Sequence, residues 1–254
     1  MSINSTVYKS AGACTDTTLP ILYKDPAATS GTKFIYDALD TNSFAKQAAP
    51  TGTDVIKNLV SGADATFSGT VPGWAASGGF TYPGSGSGRI LLPTSGKVAS
   101  NQLTGFYFGV WVKTASVTGV HGIGGLSNGT PGSSQYLIYQ DDAKFVFSAN
   151  SLGAAVYNGS TINTVYHLAV AYRGDGAGNF TWLNYVNGVA LGAPQTAAAA
   201  SIFQPSAANP DLGGGGVTQS ALTIYRTMFD DFSSGVSQAA LVAADYNAGV
   251  GRFT

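Results

Sequence analysis

The 254-residue sequence contains no glutamate, so all thirteen of its acidic residues are aspartate. Its single cysteine, Cys14, excludes an internal disulfide, and no base stands near it in sequence to make it a reactive thiol. The two histidines, His121 and His167, do not make up the three or four ligands that zinc requires, even with that distant cysteine. Charged residues are 10% of the chain, against about a quarter in ordinary soluble domains. The net charge of −1 gives no electrostatic reason to approach nucleic acid or an anionic membrane. No apolar run approaches the ~20 residues of a membrane span. The opening MSINSTVYKSAG lacks the basic and apolar regions of a secretory signal. The expectation is a chain made in a cytoplasm, without membrane insertion.

Glycine is abundant instead, at 34 residues, and Ser, Thr, Asn and Ala are plentiful, so the expected surface is neutral and rich in hydroxyls. The clearest pattern runs from Val165 to Gly192. Tyr166, Leu168, Val170 and Tyr172 alternate with His167, Ala169 and Ala171, the period of a strand with one strongly apolar face. A tip at Arg173-Gly174-Asp175-Gly176-Ala177-Gly178-Asn179 leads to a second strand from Phe180 to Val186. Asn187-Gly188 then signals a tight hairpin turn into a third strand at Val189 to Leu191. Phe106 to Val112 is apolar on both faces and is expected in the middle of a covered sheet. Tyr136 to Tyr139 and Lys144 to Ser148 form a predicted hairpin across Asp141-Asp142. The stretch from His121 to Gly132 reads as a loop, and Thr196 to Ser201 as a helical turn or filler. Leu222 to Phe229 is a further strand. A helix over Ser237 to Tyr246 begins at a good N-cap and ends near Asn247 and Gly249. About ten short strands separated by turn signals imply a two-sheet antiparallel sandwich. Residues 1–53 lack sustained periodicity and contain Pro20, Pro26 and Pro50, with Phe34-Ile35-Tyr36 as a candidate short strand; they are expected to form an N-terminal arm, extended or partly ordered, that docks on the domain or a neighbouring subunit.

The run Tyr166-His167-Leu168-Ala169-Val170 through Tyr185-Val186-Asn187-Gly188 resembles the central signature of the laminin-G-like, concanavalin A-like jelly rolls. Gly78-Gly79-Phe80 with Ile90-Leu91-Leu92-Pro93 resembles that family's first core strands. Thr223-Ile224-Tyr225-Arg226 and the stretch Ala239 to Gly249 resemble its closing strand and last helix. Tyr166 stands where Trp is usual, and Asn184 where an apolar residue is usual. The resemblance covers roughly residues 54 to 250. It implies an all-β jelly-roll sandwich over 54–254, with one short C-terminal helix, and says little about activity because this fold hosts many unrelated functions.

The family's glucanase branch uses paired glutamates on one strand, a pattern this sequence cannot form. Glycoside hydrolysis usually needs two carboxylates at a fixed separation. The pairs Asp141-Asp142 and Asp230-Asp231 are adjacent, so on a strand they point to opposite faces. The expectation is therefore a chain that is not an enzyme, with no catalytic residues. The resemblance leaves calcium open as a cofactor, with Asp175, Asp211 and Asp230 as the available ligands on predicted loops or strand ends, although they form no ligand series. His167 falls where the family often has His and reads as structural. Carbohydrate binding needs aromatic rings and amides, and Trp74, Tyr82, Trp182 and Tyr185 are its candidate residues, although core packing explains each of them equally well.

The leading expectation is a virion structural and adhesion protein: a bacteriophage capsid-decoration, tail or fibre component, homo-oligomeric and partnered by other virion proteins. A lectin-like carbohydrate-binding module that recognises a host cell-surface glycan is the alternative. A glycosidase or lyase ranks third.

Overall fold

A computed structural model describes residues 25–84, 88–97, 105–116, 118–126, 136–148, 154–198, 209–214 and 221–253. Its strands, in chain order, are β1 (Thr32–Asp37), β2 (Val55–Ile56), β3 (Ala65–Ser68), β4 (Gly73–Trp74), β5 (Phe80–Pro83) and β6 (Arg89–Leu91). They continue with β7 (Gly105–Thr114), β8 (Val120–Leu126), β9 (Tyr136–Asp141), β10 (Lys144–Ser148), β11 (Ala154–Asn158) and β12 (Val165–Gly174). The last are β13 (Asn179–Val186), β14 (Val189–Ala190), β15 (Gln195–Ala198), β16 (Asp211–Leu212) and β17 (Ala221–Asp230), followed by one helix, α1 (Gln238–Gly249).

The strands form two antiparallel sheets. The first runs β14-β13-β12-β7-β17-β5-β4, with β1 and β15 added beside β17 and β13. The second runs β11-β10-β9-β8-β16-β6-β3-β2. The long central strands carry the alternation visible in the sequence. Phe106, Phe108, Val110 and Val112 on β7, with Tyr166, Leu168, Val170 and Tyr172 on β12, face the second sheet. There they meet Ile123, Tyr136, Ile138, Phe145 and Phe147. Aromatic rings interlock across this layer: Phe106 stacks on Tyr172 with centroids 4.6 Å apart, and Phe108 lies 5.1 Å from Tyr136. The opposite face of the first sheet is also covered. Ile35, Tyr107, Ala169, Ala171, Tyr185 and Met228 pack beneath Leu241 and Val242 of α1.

The helix begins where the Ser237 hydroxyl accepts the Ala240 amide at 3.2 Å, as its N-cap position predicts. The β13–β14 turn places Asn187 and Gly188 at φ of 51° and 77°, the conformation an Asn-Gly hairpin needs.

Within the expected arm, β1 packs on the domain: it pairs with Arg226 to Asp230 of β17, burying Phe34, Ile35 and Tyr36. Residues 1–24, the rest of that expected arm with Cys14, lie outside the described residues. The expected loop from His121 to Gly132 begins as strand β8, and residues 127–132 lie outside the described residues. Its glycines hid the pattern but are required by the packing: a Cβ at Gly124 would stand 2.6 Å from Leu212, and one at Gly125 2.3 Å from the Tyr136 carbonyl oxygen. The alanine run begins as strand β15 against Asn179 to Trp182 of β13; residues 199–201 lie outside the described residues.

Candidate functional site

Two polar groupings stand out against the aromatic interior. The first lies between the first sheet and α1. A register shift between Ile224 and Arg226 marks a bulge in β17, and beyond it Arg226 points to the helix side. Its Nε donates to Asp245 Oδ1 at 2.8 Å, and its two terminal nitrogens donate to Asp25 at 2.7 and 3.0 Å. Asp37 accepts from Arg226 at 3.4 Å and from Arg252 at 2.8 Å. The Tyr107 hydroxyl donates to Asp245 at 2.7 Å, and His167 Nε2 lies 3.0 Å from that hydroxyl and 3.2 Å from the carboxylate. Gly109 leaves the room for this meeting: a Cβ there would stand 2.2 Å from the Tyr107 hydroxyl oxygen and 2.5 Å from Asp245.

Burial alone would push the Asp245 carboxyl up, but Arg226, His167 and Tyr107 outweigh it and hold it well below the usual carboxylate range. Burial, reinforced by Asp245, keeps the Tyr107 phenol protonated far above its ordinary range. A tyrosine beside a histidine and an aspartate has the parts of a nucleophile and base. All of them are sealed from solvent, however, and Arg226 is only 1% exposed. The chemistry this arrangement performs is to tie α1, β1, β17 and the segment at Asp25 together.

The second grouping closes one end of the sandwich. The apolar stripes facing the interior turn polar there. Phe106 to Val112 ends in Thr114, and Tyr136 and Ile138 are followed by Gln140. His121 lies opposite Gln140 on the neighbouring strand. Three connections converge on the same end. Gln140 Nε2 donates to the Ser116 carbonyl at 2.6 Å and to the Asp142 carbonyl at 3.0 Å, joining the β7–β8 loop to the β9–β10 turn. The amides of Gly159 and Ser160, in the β11–β12 loop, donate to the Ala143 carbonyl, and the Asn163 amide donates to that of Thr114. The Tyr166 hydroxyl accepts the Thr161 amide and donates to the Gly159 carbonyl. Hydroxyls of Ser116, Thr118, Thr161 and Thr164 line these connections.

Among the described residues, eight buried side-chain polar atoms lack a hydrogen-bond partner. Four belong to this end: Thr114 Oγ1, His121 Nδ1, Gln140 Oε1 and Ser160 Oγ. Thr114 and Gln140 are fully buried and Ser160 is 4% exposed. A fifth is the hydroxyl of Tyr82, two strands along the first sheet from Thr114 through Leu222. Leaving a buried polar atom unmatched costs about 1–3 kcal/mol. Their concentration marks one end of the sandwich where the interior is polar and unmatched, next to connections that carry hydroxyls.

The structure scatters the aromatic residues expected for carbohydrate binding. Trp182, 2% exposed, stacks on Tyr172 at the opposite end of the sandwich and donates from Nε1 to Asn184. This bond accounts for a polar Asn184 at an interior position. Tyr185 lies under α1, where burial raises its phenol. Tyr82 lies toward the polar end, but its ring is buried and its phenol raised by that burial. Trp74 alone is half exposed, packed edge-on against Phe80 and tilted on Phe44. None of the four offers a free ring face beside another.

The three aspartates expected as calcium ligands are also separated. Asp175 folds its carboxylate back onto Asn179 and the Ala177 amide within the β12–β13 tip, and the Asn179 bond leads the lowering of its pKa. Asp211 pairs with Arg89 at 3.2 Å in the second sheet. Asp230 accepts the hydroxyls of Thr29 and Thr32 and the amide of Phe232. Among the described residues, no three His, Cys, Asp or Glu side chains gather as a metal-holding group.

The sequence matches no family model and no curated protein. Its fold is that of solved structures. The chain is similar to the Trypanosoma rangeli sialidase in complex with sialic acid, with a TM-score of 0.57 and 12% identity over 90% of this chain and 34% of that one. It is similar to the same enzyme in complex with 2,3-difluorosialic acid, described as a covalent intermediate, with a TM-score of 0.58, 12% identity and the same coverage of each chain. It is also similar to the receptor binding domain of botulinum neurotoxin C/D mosaic serotype, with a TM-score of 0.55 and 9% identity over 85% of this chain and 51% of that one. The chain thus spans about a third of the sialidase and half of the toxin domain. At these identities the likeness defines the fold: a β-sandwich of the jelly-roll kind.

One expectation is overturned here. The chain was expected not to be an enzyme, chiefly because it lacks glutamate. Enzymes stand among the structures that share its fold. Glycoside hydrolysis also proceeds through nucleophiles other than a carboxylate, so a missing glutamate pair does not exclude it.

Proposed function

We propose that this chain is a lectin-like attachment domain that recognises a carbohydrate through the polar end of its sandwich. The observation that carries this reading is the group of unmatched polar atoms on Thr114, His121, Gln140 and Ser160, ringed by hydroxyl-bearing loops. A saccharide presents closely spaced hydroxyls that donate and accept in turn. Neutral hydroxyl, amide and imidazole groups are their natural complement. The likeness to a sialidase bound to sialic acid and to a toxin's receptor binding domain supports the reading at the level of fold.

The narrower setting, on a bacteriophage particle facing a host glycan and partnered by virion proteins, is proposed as context and rests on composition. A glycan array probed with the full chain, with and without calcium, tests the core of the reading. Reproducible binding to a defined saccharide is the expected result, and an array without hits in either condition would remove it. Addition of purified chain to particles lacking it tests the narrower setting, which fails if none is taken up.

A further inference from the structure

We infer that the saccharide recognised is neutral rather than acidic; the inference rests on the glycan-binding reading above and specifies its ligand. A guanidinium is the side chain best matched to a sugar carboxylate, because its planar fork meets the two oxygens in a charge-assisted, bidentate bond. The sequence contains four arginines, and each has a partner within the fold. Arg89 is paired with Asp211. Arg173 donates to the carbonyls of Val236 and Gly235 and lies over the Phe232 ring. Arg226 is enclosed by Asp25, Asp37 and Asp245. Arg252 holds Asp37 and the Ala248 carbonyl.

The lysines tell the same story. Lys33, Lys46 and Lys57 each pair with an aspartate at 2.6 to 2.8 Å, and Lys97 and Lys113 are engaged as well. Among the described residues that leaves Lys144, exposed at the start of β10, with Asp141 and Asn158 opposite it on the flanking strands. Two carboxylates, Asp141 and Asp142, stand in the turn beside it. Asp142 is held there by accepting the Gly119 amide at 2.9 Å. Among the described residues this end of the sandwich therefore carries more negative than positive charge and opposes an approaching anion. The exposed hydroxyls of Ser116, Thr118, Thr161 and Thr164 on the surrounding connections match a ligand made of hydroxyls.

The test pairs saccharides of one core that differ only in the terminal residue. Galactose-, glucose- and mannose-terminated glycans are immobilised beside their sialylated or uronic-acid-capped counterparts and probed with the full chain at 0.15 M salt. The neutral member is expected to bind at least tenfold more tightly than its acidic counterpart. Equal or tighter binding of the acidic members overturns the inference and leaves the glycan reading standing. No binding to either member removes that reading and the inference with it. The variant Lys144→Gln is expected to leave the neutral binding profile unchanged, and loss of binding in it would make a charge the recognition element and overturn the inference.

Discussion

Replacing Arg226 by methionine keeps the length and apolar stem of the side chain and removes the only group that touches Asp25, Asp37 and Asp245 together. Arg252 still reaches Asp37, and Tyr107 and His167 still reach Asp245. Two of the three carboxylates, buried Asp245 and part-buried Asp25, lose their guanidinium, and Asp25 loses both bonds of its fork. Breaking a buried ion pair by removing one partner costs about 3–5 kcal/mol, because the charge left behind has no water to turn to. In a chain of this length each kcal/mol lowers the melting temperature by about 2–4 °C. The expected loss is therefore roughly 6–20 °C. Thermal unfolding followed by tryptophan fluorescence is the suitable assay, because Trp111 stacks on Tyr246 of α1 and lies 5.0 Å from His167. A loss below about 2 °C, equivalent to less than 1 kcal/mol, would refute the claim that this network ties the helix to the sheet.

Other outcomes follow from the same geometry. Asp245 has a folded pKa below its unfolded one, so its contribution to stability is present above the ordinary carboxylate value near 4 and is lost as pH falls beneath it. The melting temperature should drop over that range in the wild type and less steeply in Asp245→Asn; equal slopes in titrated melts would contradict the assignment. Gly109→Ala forces a methyl group against the Tyr107 hydroxyl and Asp245, and should cost about 1–3 kcal/mol in a denaturant titration, whereas an unchanged midpoint would show that the space is not needed. Gly105 has φ of 101°, and a Cβ there would stand 2.0 Å from the Tyr172 carbonyl oxygen, so Gly105→Ala should impair folding as judged by soluble yield and melting. A Gly105→Ala protein as stable as the wild type would argue against the β7–β12 register.

The sheets were legible because the long strands repeat with a period of two on both faces, as in Phe106 to Val112, and because Asn187-Gly188 can hardly be anything but a turn. Strand β1 was legible only as the short run Phe34-Ile35-Tyr36, because its six residues lie among prolines and earn their place only by pairing with β17, some 200 residues later. Strand β8 was hidden by glycines whose purpose, close approach to Leu212 and Tyr136, exists only in the folded state. Trp182 looked like a sugar platform, yet it shares the parity of Phe180, which points it inward. The polar end was missed because Thr114, Gln140 and Ser160 come from β7, from β9 and from the β11–β12 connection. One local signal did exist: the inward stripes of β7 and β9 both end in a polar residue at the same end of the sandwich. The Arg226–Asp25 pair spans 201 positions and left no local trace.

The most direct test measures stability and binding in the same two variants, Thr114→Val and Ser160→Ala. Each removes a buried hydroxyl that has no partner among the described residues while nearly preserving shape. Removing an unmatched polar group relieves its desolvation cost, so the melting temperature should hold or rise, by up to about 1–3 kcal/mol of added stability. Calorimetric titration with the strongest-binding neutral saccharide from the array should show at least tenfold weaker binding for each variant. Unchanged affinity, or a lost melting temperature with affinity intact, would contradict the account, because the hydroxyls would then serve the fold and not a ligand.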